Sequence, residues 1–229
     1  MTRPHALIVG VGDGLSASLA RTLAPEYDLT LAARTGEKMT AVAEEIGART
    51  ALCDATDAGA IAALFADLPK TPRVVVYNPS ARVRGPVADL DPVDVHRAID
   101  VTAFGSFLVG REAVKAMLAA EPVDGVRGTI LFTGASAGVK GFPQSAPFAM
   151  GKFAQRGLAQ SMARELHPQG IHVAWVNIDG GIRNPGRTGQ SPDAMLDPDA
   201  IAREYLGLIR QHRSAWSNEH TLRPWVEKF

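Results

Sequence analysis

The chain has 229 residues, a length that favours one large domain over two small ones. With 46% apolar and 21% charged residues it falls outside the disordered, collagenous and coiled-coil classes. The 24 Lys and Arg balance the 24 Asp and Glu, leaving no basic excess for nucleic acid, and the single cysteine, Cys53, excludes an internal disulfide and a cysteine metal cluster. The expected setting is therefore a reducing cytoplasm, with no membrane or nucleic-acid partner.

In chain order, the first apolar run is Ala6 to Val9. It is too short for a signal-peptide core or a membrane span, so the mature chain is expected to start near Met1. Five more short runs follow: Leu29 to Ala33, Arg49 to Cys53, Arg73 to Tyr77, Thr129 to Thr133 and Ile171 to Ile178. Most are rich in Val, Ile, Leu or Thr and read as strands buried centrally in a sheet. Helix-like stretches separate them. Leu15, Leu19 and Leu23 repeat at i, i+4, i+8, and the pairs Asp91-Pro92 and Asp197-Pro198 each place an N-cap before a first-turn proline. Two long helices are expected, from Asp91 to about Ala120 and from about Ser145 to His167. The alternation predicts an α/β fold with a mostly parallel sheet covered on both faces. Only Gly180 to Pro198, with Gly181, Pro185, Gly186, Gly189 and Pro192, has loop composition; it reads as a mobile cover within one domain spanning 1–229.

The first strand runs into Gly10-Val11-Gly12-Asp13-Gly14-Leu15-Ser16, and a helix starts at once. Glycines in a strand-to-helix turn let the backbone approach a pyrophosphate, and the helix N-terminus stabilises its charge. A tight turn needing positive φ would use the same residues. The second strand ends at Ala33-Arg34, where an NAD-specific fold would place an acid for the ribose 2′-OH; Arg34 suits a 2′-phosphate instead, favouring NADP(H) with NAD(H) as the alternative. The third ends at Asp54-Ala55-Thr56, where Asp54 can accept from an adenine amino group or cap the next helix. The fourth ends at Asn78-Pro79, where the Asn side chain suits a bridge between strands.

Taken in order, these landmarks resemble the short-chain dehydrogenase/reductase family over nearly the whole chain. Gly10 to Ser16 resembles its T-G-x-x-x-G-x-G turn with Val9 and Ser16 replacing the threonine and last glycine. Asp54-Ala55-Thr56 resembles its D-[VA]-[TS], Tyr77-Asn78-Pro79-Ser80 its N-N-A-G, and Phe148-Ala149-Met150-Gly151-Lys152 its Y-x-x-x-K. The resemblance implies a doubly wound Rossmann fold with strand order 3-2-1-4-5-6-7 and a homodimer or homotetramer. It implies a cofactor site formed by Gly10, Gly12, Asp13, Gly14, Leu15, Arg34, Asp54, Ala55, Asn78, Pro79, Lys152, Gly180 and Ile182.

Carrying over the family's Asn-Ser-Tyr-Lys tetrad finds Thr102, Ala135, Phe148 and Lys152, so three of its four members are replaced. In the family the tyrosine gives a proton to the carbonyl oxygen, the serine orients that oxygen, and the lysine lowers the tyrosine pKa and holds the nicotinamide ribose. A phenyl ring has no proton to give. Asp179, standing where the family usually has Pro-Gly, is a candidate replacement acid whose carboxyl a desolvated site would raise; Ser136, Ser145 and Tyr77 are weaker candidates. The six histidines lack metal-ligand spacing and read as structural or surface residues. Trp216, Leu222, Trp225 and Phe229 make an apolar tail that docks on a core or a subunit. Phe107, Phe142, Phe148 and Met150 suggest an apolar pocket. The expected function is NADP(H)-dependent oxidoreduction of a small apolar carbonyl, alcohol or activated alkene with a non-standard proton donor. An inactive NADP(H)-binding module and a non-redox lyase or isomerase remain the alternatives.

Overall fold

The structure, a computed structural model, describes residues 3–184, 186–189, 191 and 193–227. Pro185, Pro192 and Phe229, used in the sequence reading, lie outside the described residues, as does Met1. Seven strands occur among the described residues: β1 (His5–Val9), β2 (Asp28–Ala33), β3 (Arg49–Leu52), β4 (Pro72–Tyr77), β5 (Gly128–Thr133), β6 (Ile171–Ile178) and β7 (Glu219–Leu222). They form one sheet in the order β3-β2-β1-β4-β5-β6-β7, and every pairing is parallel. The six strands read from sequence appear within a residue or two of their expected ends. The seventh strand that the resemblance implies, in the order the sheet adopts, lies in the tail: Glu219 to Leu222 pairs with Trp175 to Ile178.

Each connection crosses a face of this sheet as a helix, so neighbouring strand residues pack against different helices. On one face α1 (Leu15–Leu23), α2 (Glu37–Ile46) and α7 (Pro198–Ile209) bring Leu19, Leu23, Met39, Ile201 and Tyr205 onto Ile8, Leu31, Val74 and Leu131. On the other, α3 (Ala58–Ala66), α5 (Gly105–Ala119) and α6 (Ala146–Leu166) bring Ile61, Leu64, Val109, Met117 and Ala163 onto Leu7, Val75, Ile130 and Phe132. β1, β5 and β6 are buried at every position, which is why they read as unbroken apolar runs. The expectation of central burial fails for β3. It forms the sheet edge, with one strand neighbour, and Leu52 is 72% exposed.

The long helix expected from Asp91 is interrupted. α4 (Pro92–Ile99), capped by Asp91, passes into a π-helical turn at Asp100–Phe104 before α5 resumes at Gly105. The insertion places Thr102 inward and fully buried. Among the described residues of the segment from Gly180 to Pro198, Ile182 bridges Leu196, Leu196 N–H donates to Gly181 O at 2.8 Å, and Arg183 pairs with Asp197.

Candidate active site

The order of the sheet reverses between β1 and β4, where ligands bind at the carboxyl ends of such strands. A cavity of about 720 Å³ opens there. Its floor is the turn after β1. Gly10 adopts φ +85°, and a Cβ on it would lie 2.6 Å from the Pro79 ring, so the crossing of the two loops requires glycine. A Cβ on Gly12 would meet nothing within 4 Å and would project into free space. α1 begins at Leu15 with Gly14 as N-cap and no side chain capping it, so the positive end of the helix faces the cavity.

A hydrogen-bonded chain fixes this floor to the sheet. Ser16 Oγ donates to Gly10 O at 2.9 Å and accepts from Asn78 Nδ2 at 2.7 Å. Asn78 Oδ1 accepts from Thr133 Oγ1, which also meets the Tyr205 hydroxyl at 2.8 Å. Asn78 thus bridges β1, β4 and β5, as its position after β4 suggested. The serine that replaces the family's last glycine supplies one link.

At the β2 and β3 end, the cavity is lined by Arg34, Thr35, Lys38, Asp54, Ala55 and Thr56. Asp54 Oδ1 accepts from Thr56 N–H and Oγ1 at 2.9 and 2.8 Å, which holds its carboxyl below the usual range. Asp54 does not cap α3; Asp57 does, accepting from Gly59 and Ala60 N–H. Lys38 and Thr35 carry no motif of their own, although Lys38, in the first turn of α2, follows Arg34 by four residues and shares its charge.

The opposite end holds Phe148 and Lys152, four residues apart on α6 and therefore on one face. Lys152 is 2% exposed; its ammonium donates to Thr133 O and to Gln155 Oε1, the latter at 3.2 Å. Both acceptors are neutral. Burial, then the nearby positive charge of Arg82, lowers its pKa to about 7. Gln155 Nε2 reaches Thr102 O at 3.3 Å, and Thr102 Oγ1 accepts from Ala81 N–H at 3.1 Å. A Cβ on Gly151 would lie 2.8 Å from Thr102 Cβ, so the π turn and α6 touch there. Thr102 consequently sits behind the cavity wall rather than in its lining.

Ala135 and Phe148, in the positions of the family's serine and tyrosine, pack together with Ala137 as a small apolar cluster. The guanidinium of Arg82 lies over the Phe148 ring, 4.3 Å from its centroid.

The structure corrects the reading of Asp179 as a raised acid. Arg223 Nε donates to its Oδ2 at 2.8 Å, a second guanidinium N–H does the same, and the Ser136 hydroxyl also bonds to it. Against a desolvation that alone would raise it, these partners hold the carboxyl below the ordinary range. Neither Asp179 nor Ser136 lines the cavity, although the neighbouring Ile178, Gly180 and Ile182 do. Tyr77 is fully buried and donates to Val101 O, and Ser145 precedes α6 outside the lining. Of the four expected apolar pocket residues only Phe148 lines the cavity; Phe107, Phe142 and Met150 are exposed elsewhere. In their place stand Arg82, Asn184 and Arg187. Arg82 and Arg84 follow the carboxyl end of β4, a signal visible in the sequence once that end is known to face a ligand. Among the described residues no group of three or more His, Cys, Asp and Glu is disposed to hold a metal ion, and no helix is long and apolar enough to cross a membrane.

The fold matches that of known proteins. The family model for short chain dehydrogenases matches residues 4–191. The trans-4-hydroxycyclohexanecarboxylate dehydrogenase of Sinomonas cyclohexanicum is 31% identical over 229 residues, covering 89% of this chain and 83% of the relative. A short-chain dehydrogenase from Rhodopseudomonas palustris superposes with a TM-score of 0.83 at 32% identity, covering 98% of this chain and all of the other. A metagenomic short-chain oxidoreductase in complex with NADP superposes at 0.82 with 27% identity, covering 98% and 99%. The chain belongs to the short-chain dehydrogenase family.

Proposed function

We propose that this protein is an oxidoreductase that binds NADP(H) in preference to NAD(H) and interconverts a small alcohol and its carbonyl compound. The observation that carries this reading is one continuous cavity lined by the Gly10 to Ser16 turn, by Arg34 and Lys38, and by the buried ammonium of Lys152. The free space beyond Gly12 fits a pyrophosphate, which the uncapped N-terminus of α1 stabilises. Arg34 and Lys38 supply the positive charge that a 2′-phosphate requires. Lys152 has two neutral acceptors for its three protons and lines the cavity, so one proton remains for a group bound there. Two of the relatives above are dehydrogenases, and a third is an oxidoreductase in complex with NADP.

When bound, a nicotinamide nucleotide supplies or accepts the hydride. The chain must then provide or remove a proton at the substrate oxygen, and Phe148 can do neither. In this reading Lys152 Nζ takes over: burial brings its pKa to about 7, near the operating pH that suits a general acid. During reduction its ammonium gives a proton to the nascent alkoxide, directly or through one water, and bulk solvent restores it. Phe148 packs with Ala135 and Ala137 and offers the cavity an apolar ring with no proton to exchange. The test is a panel of carbonyl compounds and activated alkenes incubated with stereospecifically deuterated NADPH. Deuterium transfer from one face to a product supports the reading; tight nucleotide binding with no transfer to any member contradicts it.

A further inference from the structure

The end of the cavity beside Phe148 is cationic without compensation. Arg82 and Arg187 both line it, and among the described residues neither has a carboxylate partner, whereas Arg183 pairs with Asp197. The carboxylates in the lining, Asp13 and Asp54, stand on the loops after β1 and β3, and Asp54 is engaged by Thr56. Arg82 Cζ lies over the Phe148 ring, 4.3 Å from its centroid. A cation–π contact uses none of the guanidinium N–H groups as hydrogen-bond donors to the ring edge, so they are available to a carboxylate, which a guanidinium can hold bidentately. Phe148, only 6% exposed, holds the guanidinium at the position where family members carry the tyrosine.

We propose that Arg82, stacked on Phe148 and assisted by Arg187, binds an anionic group of the substrate, so that the protein acts on a small hydroxy or oxo acid rather than an apolar carbonyl. This rests on the oxidoreductase reading above and narrows its substrate class. Electrostatics support the geometry. Partial burial lowers the Arg82 pKa, and the charges of Arg84 and Arg187 lower it further, while Arg82 itself depresses Lys152. Uncompensated cations gathered in one cavity repel one another, and a bound anion relieves that repulsion. The replacement of tyrosine by phenylalanine then gains a purpose, since an apolar ring is a platform for a guanidinium and adds no competing hydroxyl.

The test is calorimetric titration of the protein, saturated with NADP, with benzoate and with its neutral isostere benzamide. The account predicts benzoate binding at least about tenfold tighter than benzamide. Arg82→Gln is expected to abolish that difference and Arg82→Lys to restore part of it. Benzoate binding no tighter than benzamide, or an undiminished difference in Arg82→Gln, overturns the proposal. Should NADP itself fail to bind, the oxidoreductase reading fails separately, and the same titrations on the nucleotide-free protein decide the anion site by the same criteria.

Discussion

Lys152 carries the most chemistry of any single residue in the cavity. Its pKa, lowered to about 7, leaves the folded protein deprotonated between that value and the ordinary lysine value of 10.5, while the unfolded chain keeps its proton. This residue therefore disfavours folding below pH 7, and that cost declines as pH rises through the interval. The proposed reaction runs the other way: with Lys152 as the proton source reduction needs the ammonium, so kcat/KM for the reduced nucleotide should fall about tenfold per pH unit above 7. Lys152→Arg, which keeps a cation with no near-neutral titration, should flatten that profile; an unchanged profile would remove Lys152 as the proton source. Restoring the family's hydroxyls with Phe148→Tyr and Ala135→Ser should raise carbonyl reduction by about 10²- to 10⁴-fold if the apolar pair limits the rate, measured with a neutral ketone. Asp179 belongs to stability instead. Its carboxyl is held below the ordinary value of 3.8, so the contribution is present above that pH and lost as pH falls through the folded value. Asp179→Asn should cost about 1.5–3 kcal/mol in urea unfolding at neutral pH and converge with the parent in acid, with kcat retained. The sequence revealed Asp179 as unusual, yet its partner Arg223 is 44 residues away, so only the pairing of β6 with β7 shows that it is neutralised.

At the scale of elements, legibility followed the reach of the interactions. Strands β1 to β6 and the helix caps at Asp91 and Asp197 are set by local composition and neighbouring backbone, and both were readable. β7 was not, because Glu219-His220-Thr221-Leu222 has no apolar run and is held by its ladder to β6. Thr102 stands where the resemblance places the family's asparagine, and the π turn that buries it packs against Gly151 and Gln155 of α6, which no local sequence signal shows. The glycine turn offers a direct test at this scale. Gly10→Ala combines a strained φ of +85° with a clash against Pro79, so it should lose about 1–3 kcal/mol of stability, seen as a lower urea midpoint. Wild-type stability in that variant would show that the β1 and β4 loops do not constrain each other.

Across the whole molecule, the order of the sheet brings loops from β1, β2, β3, β4 and β5 together with α6 around one cavity, so its two ends can specialise independently. Arg34, Thr35 and Lys38 serve one end; Arg82, Phe148 and Lys152 serve the other. At the first end the glycine turn, Arg34 and Asp54 are legible because each directly follows a strand, whereas Thr35 and Lys38 are not. At the other end Arg82 and Arg187 are not legible, because only the folded chain brings them into one cavity with Phe148. The measurement that tests the central claim most directly is calorimetric titration of the purified protein with NADPH, NADP, NADH and NAD, repeated with Arg34→Glu. The account predicts micromolar binding with the phosphorylated pair preferred by at least about tenfold, a preference that Arg34→Glu removes. Binding of none of the four nucleotides would contradict it, and a preference for NADPH undiminished in Arg34→Glu would contradict the assignment of Arg34 to the 2′-phosphate.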